Sequence, residues 1–290
     1  MKQRTSVALG SFDGLHKGHM TVLRNALSSA DDGLLPYVLL FDVHPQTVLC
    51  GEAPPALMTT KERDDTLRAM GFTLYTVPFA EICTMEPERF VREILCDALH
   101  AGSVSCGYNY RFGKNGRGDA ALLGTLCAEK DIRLTVSAHI DYAGSPISST
   151  RIRSAVESGK IAEANAMLGR AFSYTATVLH GNAFGRELGF PTINQQLPAG
   201  YTVPRFGVYA SHVSLGGKAY RGITNIGVRP TIPDTTVISE THILDFSGDL
   251  YGRRVTVYLD SFIRPEQKFA DLNAVFAQVR KDIATAYGLQ

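Results

Sequence analysis

Val7-Ala8-Leu9-Gly10-Ser11-Phe12-Asp13-Gly14-Leu15-His16-Lys17-Gly18-His19 decides how this chain is read. An apolar strand runs into a glycine-punctuated turn, and two histidines follow three residues apart. On an opening helical turn that spacing turns both imidazoles the same way. Unpaired backbone N–H groups and the positive end of the helix dipole lie beside them, so the place suits a phosphate. Small glycines let a triphosphate come close to the backbone. Zinc is the competing use of two histidines at this spacing, but no Cys or third His stands nearby in sequence to complete a ligand set.

Working outward, the first half alternates strands and helices. Ser6–Leu9, Tyr37–Phe41, Leu74–Val77, Ser103–Cys106 and Arg133–Val136 read as strands, and Met20–Ala30, Thr60–Met70 and Pro87–His100 as helices. That alternation predicts a parallel sheet wrapped by helices, with ligands at the carboxyl ends of the strands. From Tyr174 onward the period changes. Thr175–Leu179, Gly207–Val213, Tyr220–Ile226, Ser239–Leu244 and Arg254–Phe262 are short β-rich runs separated by Gly and Pro, the pattern of a compact antiparallel barrel. Leu272, Val275, Phe276, Val279 and Ile283 then recur at helical spacing within Phe269–Tyr287. The period changes near Gly169-Arg170, which sets the expected domains at 1–169 and 170–290.

Composition narrows the class. The chain has 290 residues, enough for two ordinary domains, and a formal net charge of +1. No global field draws it to nucleic acid or an anionic membrane, so neither is an expected partner. No apolar run reaches membrane-spanning length, and Met1-Lys2-Gln3-Arg4-Thr5 leads into a strand instead of a signal peptide. Five scattered Cys without a CxxC pair predict reduced thiols and a cytoplasmic location.

Two further clusters accompany the histidines. Ile147-Ser148-Ser149-Thr150-Arg151-Ile152-Arg153 precedes an expected helix Ser154–Leu168. One hydroxyl there would serve as a cap, but three followed by two arginines exceed that need and suit a second grip on phosphates. Gly107-Tyr108-Asn109-Tyr110-Arg111-Phe112-Gly113 places aromatics beside an amide and an arginine, fitting a flat ring and its phosphate, although a basic loop would read the same way.

Gly-x-Phe-Asp-Gly-x-His-x-Gly-His after a strand resembles the HxGH signature of the nucleotidyltransferase superfamily. Together with Phe41-Asp42-Val43-His44-Pro45, the Gly107–Gly113 string and Ile147-Ser148-Ser149-Thr150-x-x-Arg153, it resembles the FMN adenylyltransferase module of bacterial bifunctional riboflavin kinase/FAD synthetases. Val43 and Tyr110 stand where that family usually has Pro and Phe. In the second half, Leu188-Gly189-Phe190-Pro191-Thr192-Ile193-Asn194, Asn225-Ile226-Gly227 and Glu240-Thr241-His242-Ile243-Leu244-Asp245-Phe246 are similar to the riboflavin kinase pattern, as is Ile263-Arg264-Pro265-Glu266. Ile193 replaces the usual Ala of that family.

The resemblance implies an α/β chain: a Rossmann-like nucleotidyltransferase domain, then a six-stranded antiparallel barrel closed by a helix. It implies catalytic roles for His16 and His19 at the α-phosphate of ATP and for Glu240 as the base that accepts the riboflavin hydroxyl proton. Gly10, Phe12, Gly18, Ser149, Thr150 and Arg153 would hold one ATP, and Gly181, Gly185 and Gly189 the phosphates of the other. Asp42, Asn109 and Arg264 would lie at the flavin, and Thr192 and Asn194 offer hard oxygens to Mg²⁺. The expected ligands are therefore ATP, Mg²⁺, riboflavin, FMN and FAD. His180 and His242 read as structural. The alternatives are a chain that keeps only adenylylation and a flavin-binding protein without catalysis.

Overall fold

The alternation in the first half is realised in a computed structural model, which describes residues 3–180, 190–228 and 236–288. β1 (Thr5–Leu9), buried throughout, leads through the Gly10–His16 turn into α1 (Lys17–Ser28). β2 (Leu35–Phe41), α2 (Pro45–Cys50), α3 (Thr60–Ala69), β3 (Thr73–Val77) and α4 (Phe79–Ile82) follow. Next come α5 (Pro87–Phe90), continued by a π-helical stretch Val91–Ala98, then β4 (Ala101–Gly107), α6 (Ala120–Ala128) and β5 (Arg133–Ser137). All four ladders are parallel, in the order β3-β2-β1-β4-β5. The order reverses between β1 and β4, which opens a crevice at their carboxyl ends.

One core lies between this sheet and the helices that follow β3 and β4. Val7, Leu9, Val104, Phe90, Leu95 and Leu123 are among its enclosed members. Truncating Phe90, fully buried, would cost about 3–5 kcal/mol through lost burial and the cavity left behind. Burial pushes the Cys106 thiol up to about 11 and, with Cys96 and Cys106 beside it, the Cys127 thiol up to about 12. Both stay protonated at neutral pH.

The short hairpin β6 (Asp141–Tyr142) and β7 (Ser145–Pro146) precedes α7 (Ser149–Glu157) and α8 (Ile161–Leu168). The single helix expected over Ser154–Leu168 is thus two helices. Gly159, at φ +80°, takes a left-handed conformation that ends the first. The helix also starts earlier than expected, so Ser149 and Thr150 lie within its first turn.

The barrel comprises β8 (Phe172–Leu179), β9 (Thr192–Gln196), β10 (Gly207–Leu215), β11 (Lys218–Val228), β12 (Val237–Ile243) and β13 (Arg254–Arg264). It closes antiparallel in the order β10-β11-β12-β9-β8-β13. Closure removes the exposed edges that an open sheet would present. The interior carries hydrogen-bonded polar groups: Thr224 Oγ1 lies 2.8 Å from both Ser211 Oγ and Thr241 Oγ1, and Gln195 Nε2 donates to Ala176 O at 2.7 Å and Val255 O at 2.8 Å. The chain closes with α9 (Leu272–Tyr287), capped by Asp271. The Tyr287 hydroxyl docks on the β10–β11 pair, 2.6 Å from Ser211 O and 2.8 Å from Gly222 O, and accepts from both of their N–H groups.

By packing, the compact units are Met1–Pro54 with Thr59–Ser149, and Pro55–Met58 with Thr150–Gln290. The four residues Pro55–Met58 belong to the barrel unit, where Ala56 N donates to Gly200 O at 2.8 Å and Thr202 N to Ala56 O at 2.8 Å. Helices α7 beyond Ser149 and α8 lie in the same unit.

Candidate active sites

In the first unit, a cavity of about 650 Å³ opens at the carboxyl ends of β1 and β4. Gly10, Phe12, His16, Gly18 and His19 line it from the turn after β1, Asn109 from the turn after β4, and Ser149 from the start of α7. These seven expected residues are brought together by the topological reversal of the sheet.

The turn holds the histidines in a fixed relation. His16 caps α1: its Nδ1 accepts from His19 N–H at 3.3 Å, so in the neutral ring the proton sits on Nε2. The two imidazoles stack with centroids 3.6 Å apart and planes at 17°, and Phe12 meets His19 edge-on at 5.5 Å. Gly18 makes room for this. A Cβ there would lie 3.2 Å from the His16 ring, tighter than ordinary contact. His19 Nδ1 is buried without a hydrogen-bond partner, and burial, followed by the neighbouring His16, holds the His19 pKa well below its ordinary value. His19 thus lines the cavity as a neutral imidazole.

Ser149 Oγ donates to Asp13 O at 2.9 Å, which ties the start of α7 to the turn. Asp42 does not line the cavity. Its Oδ1 accepts from Val43 N–H at 2.8 Å and Phe79 N–H at 2.9 Å, and thereby sets the turn that carries the lining residues Phe41 and Phe79, whose rings meet edge-on at 4.9 Å. Thr150 and Arg153 belong to the barrel unit; Arg153 is nearly buried and its Nε donates to Pro55 O at 2.6 Å.

The second site is built on the outer face of the barrel. Residues two apart on a strand share a face, and directly opposed residues of an antiparallel pair share it too. Thr192 and Asn194 on β9 therefore face the same side as Glu240 and His242 on β12, because Asn194 pairs with Glu240 and Thr192 with His242. Asn225 on β11 pairs with Glu240 from the other side. A cavity of about 310 Å³ lies between this face and α9, walled by Phe190, Ile223, Val275, Phe276 and Val279. Thr192, Glu240 and Arg264 line it. The Thr192 hydroxyl, the Asn194 amide and the Glu240 carboxylate supply hard oxygens on one face, a donor set that fits Mg²⁺.

His242 Nδ1 donates to Pro191 O at 2.9 Å, and the His180 ring stacks on Tyr251 at 3.9 Å; both serve structural contacts. Gly181, Gly185 and Gly189 lie outside the described residues. Asn225, Glu266 and Asp282 also line the second cavity, without a site role assigned from the sequence. Asn225 had a signal, since it opens the Asn225-Ile226-Gly227 string and alternates onto the Glu240 face. Asp282 had none, because an acid on a helix ordinarily faces water.

Comparison with known proteins covers almost the whole chain. A family described as FAD synthetase matches residues 1–151, and one described as riboflavin kinase matches residues 168–289. Curated proteins named bifunctional riboflavin kinase/FMN adenylyltransferase are similar throughout. The Listeria monocytogenes protein is 35% identical over 95% of this chain and 89% of its own length. That of Escherichia coli K12 is 34% identical over 97% and 91%, respectively. A crystal structure of a macrolide-efflux protein from Streptococcus pneumoniae superposes with a TM-score of 0.89 at 29% identity, over 100% of this chain and 96% of that one. Two family matches, each falling on the half whose cavity carries the corresponding motif, and relatives aligned end to end place this chain in the family of bifunctional riboflavin kinase/FMN adenylyltransferases.

Proposed function

We infer that this chain phosphorylates riboflavin to FMN and adenylylates FMN to FAD, using ATP in both steps. The observation that carries this reading is the presence of two separate cavities, each lined by the motif of one activity. Residues 1–169 are assigned the adenylyl transfer and 170–290 the kinase.

In the kinase step the ribityl 5′-hydroxyl attacks the γ-phosphorus of ATP, its new O–P bond forms as the bond to the β-phosphate oxygen breaks, and ADP leaves. Glu240 takes the hydroxyl proton. The apolar wall of the cavity holds the flavin ring and excludes water, with Arg264 part of that wall. Thr192 and Asn194 would hold Mg²⁺, which when bound neutralises charge on the β- and γ-phosphates. Gly181, Gly185 and Gly189 are assigned to the ATP phosphates from the sequence motif.

In the second step a phosphate oxygen of FMN attacks the α-phosphorus of ATP and pyrophosphate leaves. No proton has to be removed, so positioning and charge stabilisation dominate. His16 and His19 donate hydrogen bonds to the α-phosphate oxygens at the N-terminus of α1. Gly10, Phe12, Gly18 and Ser149 shape the phosphate-binding turn. Asn109 faces the flavin, and Asp42 supports it through Phe41 and Phe79. The assignment of Thr150 and Arg153 to ATP rests on their motif. The scattered free thiols and near-neutral charge support a cytoplasmic enzyme acting on small molecules. Among the described residues no helix is long and apolar enough to cross a membrane.

The purified chain, incubated with riboflavin, ATP and Mg²⁺ and resolved by chromatography, should yield FMN and then FAD. Absence of FMN would overturn the kinase assignment; FMN that never becomes FAD would leave a kinase alone. Flavin bound but unchanged would mark a binding protein.

A further inference from the structure

The kinase cavity contains one arginine among its described lining residues, and that arginine is occupied. Arg264 Nε lies 3.0 and 3.1 Å from the two carboxylate oxygens of Asp282, and Nη2 lies 2.8 Å from Oδ2. Nη1 donates to Pro265 O at 3.1 Å. Asp282 is 2% exposed, and Gln278 Nε2 donates to its Oδ1 at 2.8 Å. All three guanidinium nitrogens thus have acceptors within the protein, and the fork that would ordinarily grip a phosphate is turned onto a buried carboxylate.

The remaining charge of the wall is acidic. Glu240 and Glu266 join Asp282 as carboxylates against the single guanidinium, a net charge of −2 among the described lining residues with His242 neutral. Glu266 is seated against Gly227, where a Cβ would overlap its carboxylate, and accepts from Asn225 Nδ2 at 3.4 Å. Riboflavin is uncharged, whereas FMN carries a phosphate monoester of about −1.5 to −2 at neutral pH. The substrate is indifferent to this field, and the product is repelled by it.

We propose that Asp282 is a specificity-determining residue of the kinase site: by masking Arg264 it makes the flavin cavity accept neutral riboflavin and release the phosphorylated flavin. This rests on the reading of the cavity as the riboflavin site. Asp282 acts through the charge of Arg264 and does not itself touch the reacting atoms.

The test uses the full chain and initial rates of ADP formation, which report the kinase alone because adenylyl transfer releases pyrophosphate. Riboflavin and FMN are varied together to obtain the riboflavin KM and the FMN inhibition constant. In Asp282→Asn the FMN constant should fall about tenfold relative to the riboflavin KM, and added salt should shrink that gap. Equal shifts of the two constants, or no shift, would show a merely structural residue and overturn the proposal. The double variant Arg264→Gln/Asp282→Asn keeps the net charge of the wall and removes the ion pair without leaving either charge buried alone. Its ratio of the two constants should stay within about twofold of the parent. A tenfold rise in the FMN constant there would mean that Arg264 grips the phosphate after all, and would overturn the proposal even if the single variant does not fold. A parent chain that forms no ADP from riboflavin would instead fail the kinase reading.

Discussion

The imidazoles of His16 and His19 lie face to face, 3.6 Å between centroids, with the backbone N–H of the second donating to the ring of the first. Two histidines so close cannot both carry a proton cheaply, and His19, with its pKa held well below the ordinary value, remains neutral. In the proposed adenylyl transfer His19 would therefore act on phosphate as an oriented hydrogen-bonding dipole, with α1 adding positive potential. His19→Ala should lower FAD formation by about 10²–10³-fold, the usual loss for one preorganised donor, while riboflavin is still phosphorylated. Undiminished FAD synthesis from supplied FMN would refute the role.

Stability should follow the same titration. The unfolded chain protonates His19 near 6.5, and the folded chain only well below it. The unfolded state therefore binds more protons as pH falls below about 6.5, and this contribution to stability is whole above that pH and lost progressively beneath it. Thermal melts of the ligand-free chain at about pH 7.5 and 5.5 should show this drop, and His19→Gln should reduce it. An identical drop in the variant would place the effect elsewhere.

Glu240→Gln keeps the shape of the side chain and removes its basicity. FMN formation should fall by about 10²–10⁴-fold, while FMN supplied from outside is still converted to FAD. Loss of both reactions in a folded variant would contradict the separation of the two sites.

Tyr287→Phe deletes the hydroxyl that ties the end of α9 to Ser211 and Gly222. The expected cost is about 1–2 kcal/mol of stability for the lost hydrogen bonding. Because α9 forms one wall of the cavity proposed for riboflavin, the riboflavin KM should rise more than kcat falls. A change in kcat alone would detach the helix anchor from substrate binding.

Periodicity made much of this architecture legible. The apolar runs at Val7–Leu9 and Val38–Leu40 are strands of a parallel sheet, and the glycines around His16 mark the turn that leads into α1. Thr192 and Asn194 as ligands and Glu240 as base are separate readings of the sequence; that the three share one face follows only from the pairing of β9 with β12. Three features escaped for definite reasons. Asp42 spends its carboxylate on two backbone N–H groups, one from a residue far along the chain, and sequence spacing cannot show that. The break at Gly159 leaves no mark in the period, because a single glycine inside a helical stretch does not by itself end it. Asp282 is held by an arginine on a barrel strand, a pairing no helical period records.

Pro55–Met58 were also silent in the sequence, four residues too short for any period. Yet Pro55 O accepts from Arg153, Ala56 bridges to the Gly200–Thr202 backbone, and Leu57 O accepts from the Tyr201 hydroxyl at 2.9 Å. The barrel unit is thus assembled from two stretches of gene that the adenylylating half interrupts. A single recombination joint, wherever it falls after residue 58, cannot carry that unit whole into another protein. Moving the barrel unit intact therefore means moving Pro55–Met58 with it.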